Sequence, residues 1–90
     1  ILAGANVSEV NLLGAVLTKA DFRDAYLWDA NLNGAKIQGT NLDNASLWCA
    51  HLRNVEGGTE EQISRAKLCN TTLPNHIQLN SDKDCEKFLS

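Results

Sequence analysis

The sequence predicts an all-β solenoid, and three observations carry that reading. Leucine or a close substitute falls at every fifth position: Val7, Leu12, Leu17, Phe22, Leu27, Leu32, Ile37, Leu42, Leu47 and Leu52. Two residues before each sits a small residue: Ala5, Val10, Ala15, Ala20, Ala25, Ala30, Ala35, Thr40, Ala45 and Ala50. Finally, a period of five suits neither standard element. On a helix at about 100° per residue the leucines would spiral onto every side. On a flat strand an odd period sends successive leucines to opposite faces. The chain must therefore turn a corner once per repeat, so that every leucine returns to one interior. A chain that spends its sequence on stacking in this way has little left for catalysis.

The segments ADFRD (20–24), ANLNG (30–34) and TNLDN (40–44) resemble the consensus A-[DN]-L-x-x of the pentapeptide-repeat family. The resemblance covers residues 1 to about 54. It implies a right-handed parallel β-helix of square cross-section, a quadrilateral coil of four repeats, with the Leu/Phe and the preceding Ala inward and the other positions outward. Such a coil predicts a second period of 20. Asn11 and Asn31, Gly14 and Gly34, and Trp28 and Trp48 match at that lag. The Trp pair is informative, because no other repeat carries Trp in that slot.

The 90 residues make one domain with a net charge of −3. That balance disfavours a nucleic-acid partner, which needs a basic stripe. No apolar run is long enough for membrane insertion. The chain has no signal-peptide pattern and opens at Ile1, inside a repeat. It is expected to be a processed product or a piece of something longer. An uncapped first coil would present the tops of Leu2, Val7, Leu12 and Leu17, an edge suited to self-association unless upstream repeats cover it.

The register breaks after Val55, which divides the chain into repeats (1–55) and a C-terminal α-helical cap (56–90). Gly57 and Gly58 supply a turn. Thr59 with Gln62 reads as a capping box opening a helix over about 60–67, and Glu60 and Glu61 suit its dipole. Ile63 and Ala66 share its inner face. Leu73-Pro74-Asn75-His76 reads as a turn. Ser81 with Asp84 reads as a second N-cap, with a helix over about 82–89 anchored by Phe88.

Cys69, Thr71, Thr72, Leu73, Pro74 and Cys85 also resemble a terminal segment of pentapeptide-repeat proteins from cyanobacteria and the chloroplast thylakoid lumen. The match departs at Asn75-His76, where that segment usually has Asp-Gly. The resemblance implies closure by short helices and a Cys69–Cys85 disulfide. The cysteine count of three is odd. Two reduced thiols in a cytoplasmic protein are the alternative. Cys49, on an outward slot, is left as the free thiol.

Other polar residues do not assemble a site in sequence. Cys49 and His51 fall short of the three ligands a metal needs, and His76 lies in a loop, so neither a metal nor a cofactor is expected. Asp21, Asp24, Asp29 and Asp43 take outward slots on a convex face that offers a catalytic pair no cleft. Asp21 is expected to serve its turn, and Arg23 to pair with Asp43 one coil away. Trp28 and Trp48 should stack outward on adjacent coils about 4.8 Å apart, with Tyr26 beside them. They form either a packing ladder or an interaction surface.

The reading is a non-enzymatic structural or protein–protein interaction module with an unknown protein partner. Its setting is a thylakoid lumen or periplasm, with the cytoplasm as the alternative. The rival function is a DNA-mimicking gyrase-interacting protein. That role needs a long acidic rod, whereas Glu9, Asp21, Asp24, Asp29 and Asp43 are nearly balanced by Lys19, Arg23, Lys36 and Arg53.

Overall fold

A computed structural model describes residues 2–86. Each repeat contributes one short side and one corner. At the corner the amide of the small residue donates back to the carbonyl of the large one: Ala5 to Leu2 at 2.9 Å, Ala25 to Phe22 at 3.1 Å, Ala45 to Leu42 at 3.0 Å. The residue between them in the turn's third position has positive φ, as at Gly4 (72°), Glu9 (63°), Lys19 (62°), Asp29 (58°) and Cys49 (62°). That conformation belongs to type II turns. It explains the period of five in physical terms.

Four corners close one coil. Parallel bridges therefore join residues 20 apart, as in Asn6 with Tyr26, Asn11 with Asn31, Val16 with Lys36 and Asp21 with Asn41. Each bridge is held from both directions: Val7 N donates to Tyr26 O and Tyr26 N donates to Ala5 O, both at 2.9 Å. We label the sides by their outward residues. Side A holds 6–8, 26–28 and 46–48; side B holds 11–13, 31–33 and 51–53. Side C holds 16–18, 36–38 and 56–58; side D holds 2–3, 21–23 and 41–43.

The column of large residues is buried from Phe22 through Leu52, as are the Ala positions from Ala25 to Ala50. In the first coil Val7, Leu12 and Leu17 are only partly buried against this core, and Leu2 is 38% exposed. Thr40 replaces Ala and stays buried because its hydroxyl donates to Leu17 O at 2.6 Å. The expected role of Asp21 recurs around the coil. Asn6, Asn11, Asp21, Asn31 and Asn41 each accept, through the side-chain oxygen, from the amide two residues on, at 3.0–3.1 Å.

The chain stays in the coil one residue past the expected break at Val55, since Glu56 still bridges Lys36, and leaves it after Glu56. Glycine eases the exit at Gly57, where φ is +80° and a Cβ would lie 2.3 Å from Gln38 Cγ unless that side chain moved. Helix α1 spans Glu60–Ser64 and starts with the expected capping box: Thr59 Oγ1 accepts from Gln62 N, and Gln62 Oε1 accepts from Thr59 N. It stops short of the expected residue 67, because the next residues are taken back into the coil. Lys67 N donates to Ala45 O at 2.8 Å, and Leu47 N donates to Lys67 O at 2.9 Å. Ile63 and Ala66 are both buried in the core cluster, as their shared face requires.

The break is thus an insertion between Glu56 and Lys67, after which the winding resumes. Bridges join Ser46 with Lys67 and His51 with Thr72, a lag of 21 instead of 20. Ala66-x-Leu68 and Thr71-x-Leu73 repeat the small–large spacing seen above. Thr71 copies Thr40: buried, it donates to Leu47 O at 2.7 Å.

The following turn runs from Pro74 to Ile77, one residue later than expected, closed by Ile77 N donating to Pro74 O at 3.1 Å. His76 Nε2 lies 2.9 Å from Gly58 O, and Gln78 N donates to Glu60 Oε1 at 2.8 Å, so this loop is tied to α1. The last described residues pair with the resumed coil. Leu68 N donates to the buried Asp84 Oδ2 at 2.9 Å, and Asp84 N returns a bond to Leu68 O at 2.8 Å. At the expected second N-cap, Asn80 and not Ser81 provides the accepting oxygen, for Asp82 N at 2.9 Å. Residues 81–84 form a turn, and 85–86 are helical. Asp84 serves Leu68 N and pairs with Lys83 Nζ. Phe88 lies outside the described residues.

Gln62 joins α1 to the coil. Its Nε2 donates to Ile37 O at 2.8 Å and to Thr40 O at 2.7 Å, while its Oε1 completes the cap. Gln62→Ala removes all of these. It should lower unfolding free energy by about 1–3 kcal/mol, read as a shifted urea midpoint. An unchanged midpoint would mean that α1 adds nothing to the coil.

Candidate functional site

Side A carries the chain's aromatic residues other than Phe. Tyr26 and Trp28 lie two apart on one short strand, so both point outward. They are 46% and 39% exposed, and among the described residues Leu2, Leu13 and Val16 of the first coil are the other exposed large apolar groups. Their rings meet edge to face, with centroids 6.1 Å apart and planes at 90°. Above them in the first coil the same columns hold the smaller Asn6 and Ser8. The size difference leaves a groove of about 230 Å³ lined by Asn6, Ser8, Tyr26 and Trp28.

Trp48 stacks below Trp28 as the lag of 20 requires, with centroids 5.0 Å apart and planes tilted by 37°. Its expected exposure needs correction, because Trp48 is only 9% exposed. The cause lies in the resumed coil. With the lag of 21, Cys69 occupies the slot below Trp48, and Cys49 N donates to Cys69 O at 2.8 Å. Trp28 above and the disulfide-bearing strand below enclose the indole. The upper half of the aromatic column is thus a surface, and the lower half is packing.

Cys69 and Cys85 are bonded, with S–S 2.04 Å and Cα–Cα 4.8 Å, and Cys49 is free. A loop of that size stabilises by about 3 kcal/mol in the chain-entropy model. Asn70 Nδ2 lies 3.7 Å from Cys49 Sγ. Sequence reasoning considered Cys49 with His51 as metal ligands. The structure instead gathers Cys69, Asp82 and Cys85, with ligand atoms within 4.8 Å. In the disulfide the sulfurs carry no thiolate charge, and Asp82 Oδ1 accepts from Asn70 N at 2.7 Å. This cluster is therefore a brace for the tail.

The ion pairs also differ from expectation. Arg23 binds Asp21 on its own side, Nε to Oδ1 at 2.9 Å and Nη2 to Oδ2 at 2.8 Å, and not Asp43. Asp21 is already oriented by its turn, so the guanidinium meets a fixed carboxylate nearby. Asp43 instead lies 3.9 Å from Arg65, which also binds Glu61 at 2.7 Å. A second groove, about 340 Å³, runs here between side D and α1. Its Gln62 and Arg65 are already engaged by the fold.

The corners complete the site, and sequence reasoning missed their grouping. The four corners bounding side A in the first two coils hold Gly4, Glu9, Asp24 and Asp29. The other corners of those coils hold Gly14, Gly34, Lys19 and Gly39. The corner carboxylates thus all flank the aromatic pair. Applying the lag of 20 to charged slots, and not only to Trp, would have revealed this.

Residues 1–39 match the family described as pentapeptide repeats, in eight copies. No curated protein and no solved structure matches the chain.

Two measurements check this chemistry. The Arg23 side chain, and then its backbone amide, hold the Asp21 carboxyl at about 2, below the ordinary 3.8. A depressed carboxylate pKa stabilises the fold above the ordinary value, and that contribution fades as pH falls toward 2. Carboxyl NMR should show this midpoint, and Arg23→Ala should move it upward; an unmoved midpoint would rule out the pairing. Thiol titration of the denatured chain should find one thiol without reductant and three with it. Three without reductant would exclude the bridge.

Proposed function

We propose that this chain, whose residues 1–39 match pentapeptide repeats, acts as a non-enzymatic protein-interaction module whose contact surface is the Tyr26–Trp28 face. Pentapeptide repeats form right-handed β-helices, and proteins built from them are generally non-enzymatic structural modules. The observation that carries the proposal is the exposure of two neighbouring aromatics beside a groove, on a fold that buries its other core-sized groups in the second coil. Tyr and Trp are the side chains most enriched at the energetic centres of interfaces.

The segment from α1 to the disulfide closes the lower end of the coil in this reading. Ile63, Leu68 and Ile77 cover the apolar column there. The Cys69–Cys85 bridge favours an oxidising setting. A thylakoid lumen, of a chloroplast or a cyanobacterium, or a periplasm fits that chemistry better than the cytoplasm. The near-neutral coil gives a DNA mimic no acidic rod.

The double variant Tyr26→Ala/Trp28→Ala tests the surface. Because Trp28 covers Trp48, the variant's urea midpoint should fall, while the partly solvated positions leave the chain folded. Cross-linking in a native lumenal extract should lose its partner adducts. Adducts retained at full strength, from a protein that is still folded, would place the surface elsewhere.

A further inference from the structure

We propose that the groove that Asn6, Ser8, Tyr26 and Trp28 line together is a recognition site for a lysine side chain on a basic segment of a partner protein. The inference rests on the interaction-module reading and names the chemistry of its contact. Two aromatic planes at 90° form adjoining walls, with Asn6 and Ser8 completing the groove. Alkylammonium groups are bound by aromatic faces arranged in this way, because the ring quadrupole attracts a cation within about 6 Å.

Charge selects the same class of occupant. Glu9, Asp24 and Asp29 stand at the corners that bound side A in the first two coils, while Gly4 takes the fourth corner. Glu9 N donates to Trp28 O at 2.7 Å, which places that corner against the indole strand. Asp29 follows Trp28 directly. Asp24 Oδ1 takes one hydrogen bond from Asn44 Nδ2 at 2.8 Å, which fixes it without neutralising it. The nearest cation along the chain, Arg23, is occupied in two bonds to Asp21 on side D. Lys67 is on side A but two coils lower, in the column of Tyr26 and Ser46.

Size and shape narrow the class further. At about 230 Å³ the groove is smaller than pockets for drug-sized ligands, roughly 300–1,000 Å³. One side chain fills it. A guanidinium prefers to lie flat on a single ring, whereas two walls at right angles suit a rounded ammonium, methylated or not. The lysine stem would lie along the indole, and its head would reach the corner carboxylates.

The experiment uses the full chain and blocked pentapeptides of sequence Gly-Gly-X-Gly-Gly. X is lysine, trimethyllysine, arginine, norleucine or glutamate. Binding is followed by the NMR shifts of the Trp28 indole and Tyr26 ring. The lysine and trimethyllysine peptides should move both, with norleucine and glutamate at least tenfold weaker and arginine weaker than lysine. Trp28→Ala should abolish binding. Glu9→Gln/Asp29→Asn should weaken it about tenfold without disturbing the rings, and so serves if the Trp variant misfolds. Norleucine binding as tightly as lysine would overturn the cation while leaving an apolar interaction face. Arginine binding as tightly as lysine would overturn the selection of an ammonium. Vesicles with choline headgroups binding more tightly than any peptide would overturn the protein partner in favour of a membrane surface. No response to any peptide would overturn the inference outright, and the cross-linking test above would then judge the surface separately.

Discussion

The left-handed corner is the constraint on which the rest depends. One residue in five must adopt a φ near +60°, which costs an ordinary L-residue on the order of 1 kcal/mol or more. The chain accepts that conformation at Gly4, Gly14, Gly34 and Gly39, and also at Glu9, Lys19, Asp24, Asp29, Asn44, Cys49 and Asn54. Each corner redirects the backbone so that the next Leu points to the axis. The bridge lag of 20, the single interior and the outward columns all follow from it. The inter-coil hydrogen bonds then repay the strain collectively, since each side bonds to the coil above and the coil below.

This dependence explains what could be read from sequence. The corners and the interior both recur every five residues, so Leu12 to Leu52 and the Ala two before each declared the solenoid. The turn oxygens of Asn11, Asn31 and Asn41 were legible for the same reason. Trp28 and Trp48 declared four sides per coil. The contact between Asp84 and Leu68 N was less legible, because the two residues lie sixteen apart and Asp84 read locally as part of a cap.

The resumed coil was hidden by one extra residue of lag. Glycines at 57 and 58 and a capping box at Thr59 gave correct local signals for a break. Local signals do not reveal that Ala66-x-Leu68 and Thr71-x-Leu73 re-enter the stack with a lag of 21. The error propagated to the site. Without Cys69 placed below it, Trp48 looked like a surface residue. Arg23 was misassigned for a different reason, since the period shows which columns meet but not which carboxylate is already held in place by its own turn.

The aromatic column shows how one slot can serve two purposes. Ser8, Trp28, Trp48 and Cys69 follow one another down side A, and the coil geometry is indifferent to which side chain fills each place. At the lower end, the disulfide strand encloses Trp48, and the column contributes to stability. At the upper end, the step from Trp28 to Ser8 and from Tyr26 to Asn6 opens the groove. The groove is therefore made by a change of side-chain size along a column, with no change in backbone. A solenoid whose interior and corners are fixed can evolve such a contact at its outward slots alone. That independence lets Tyr26 and Trp28 stay partly solvated at the upper end of the column while Trp28 still stacks on Trp48 at the lower.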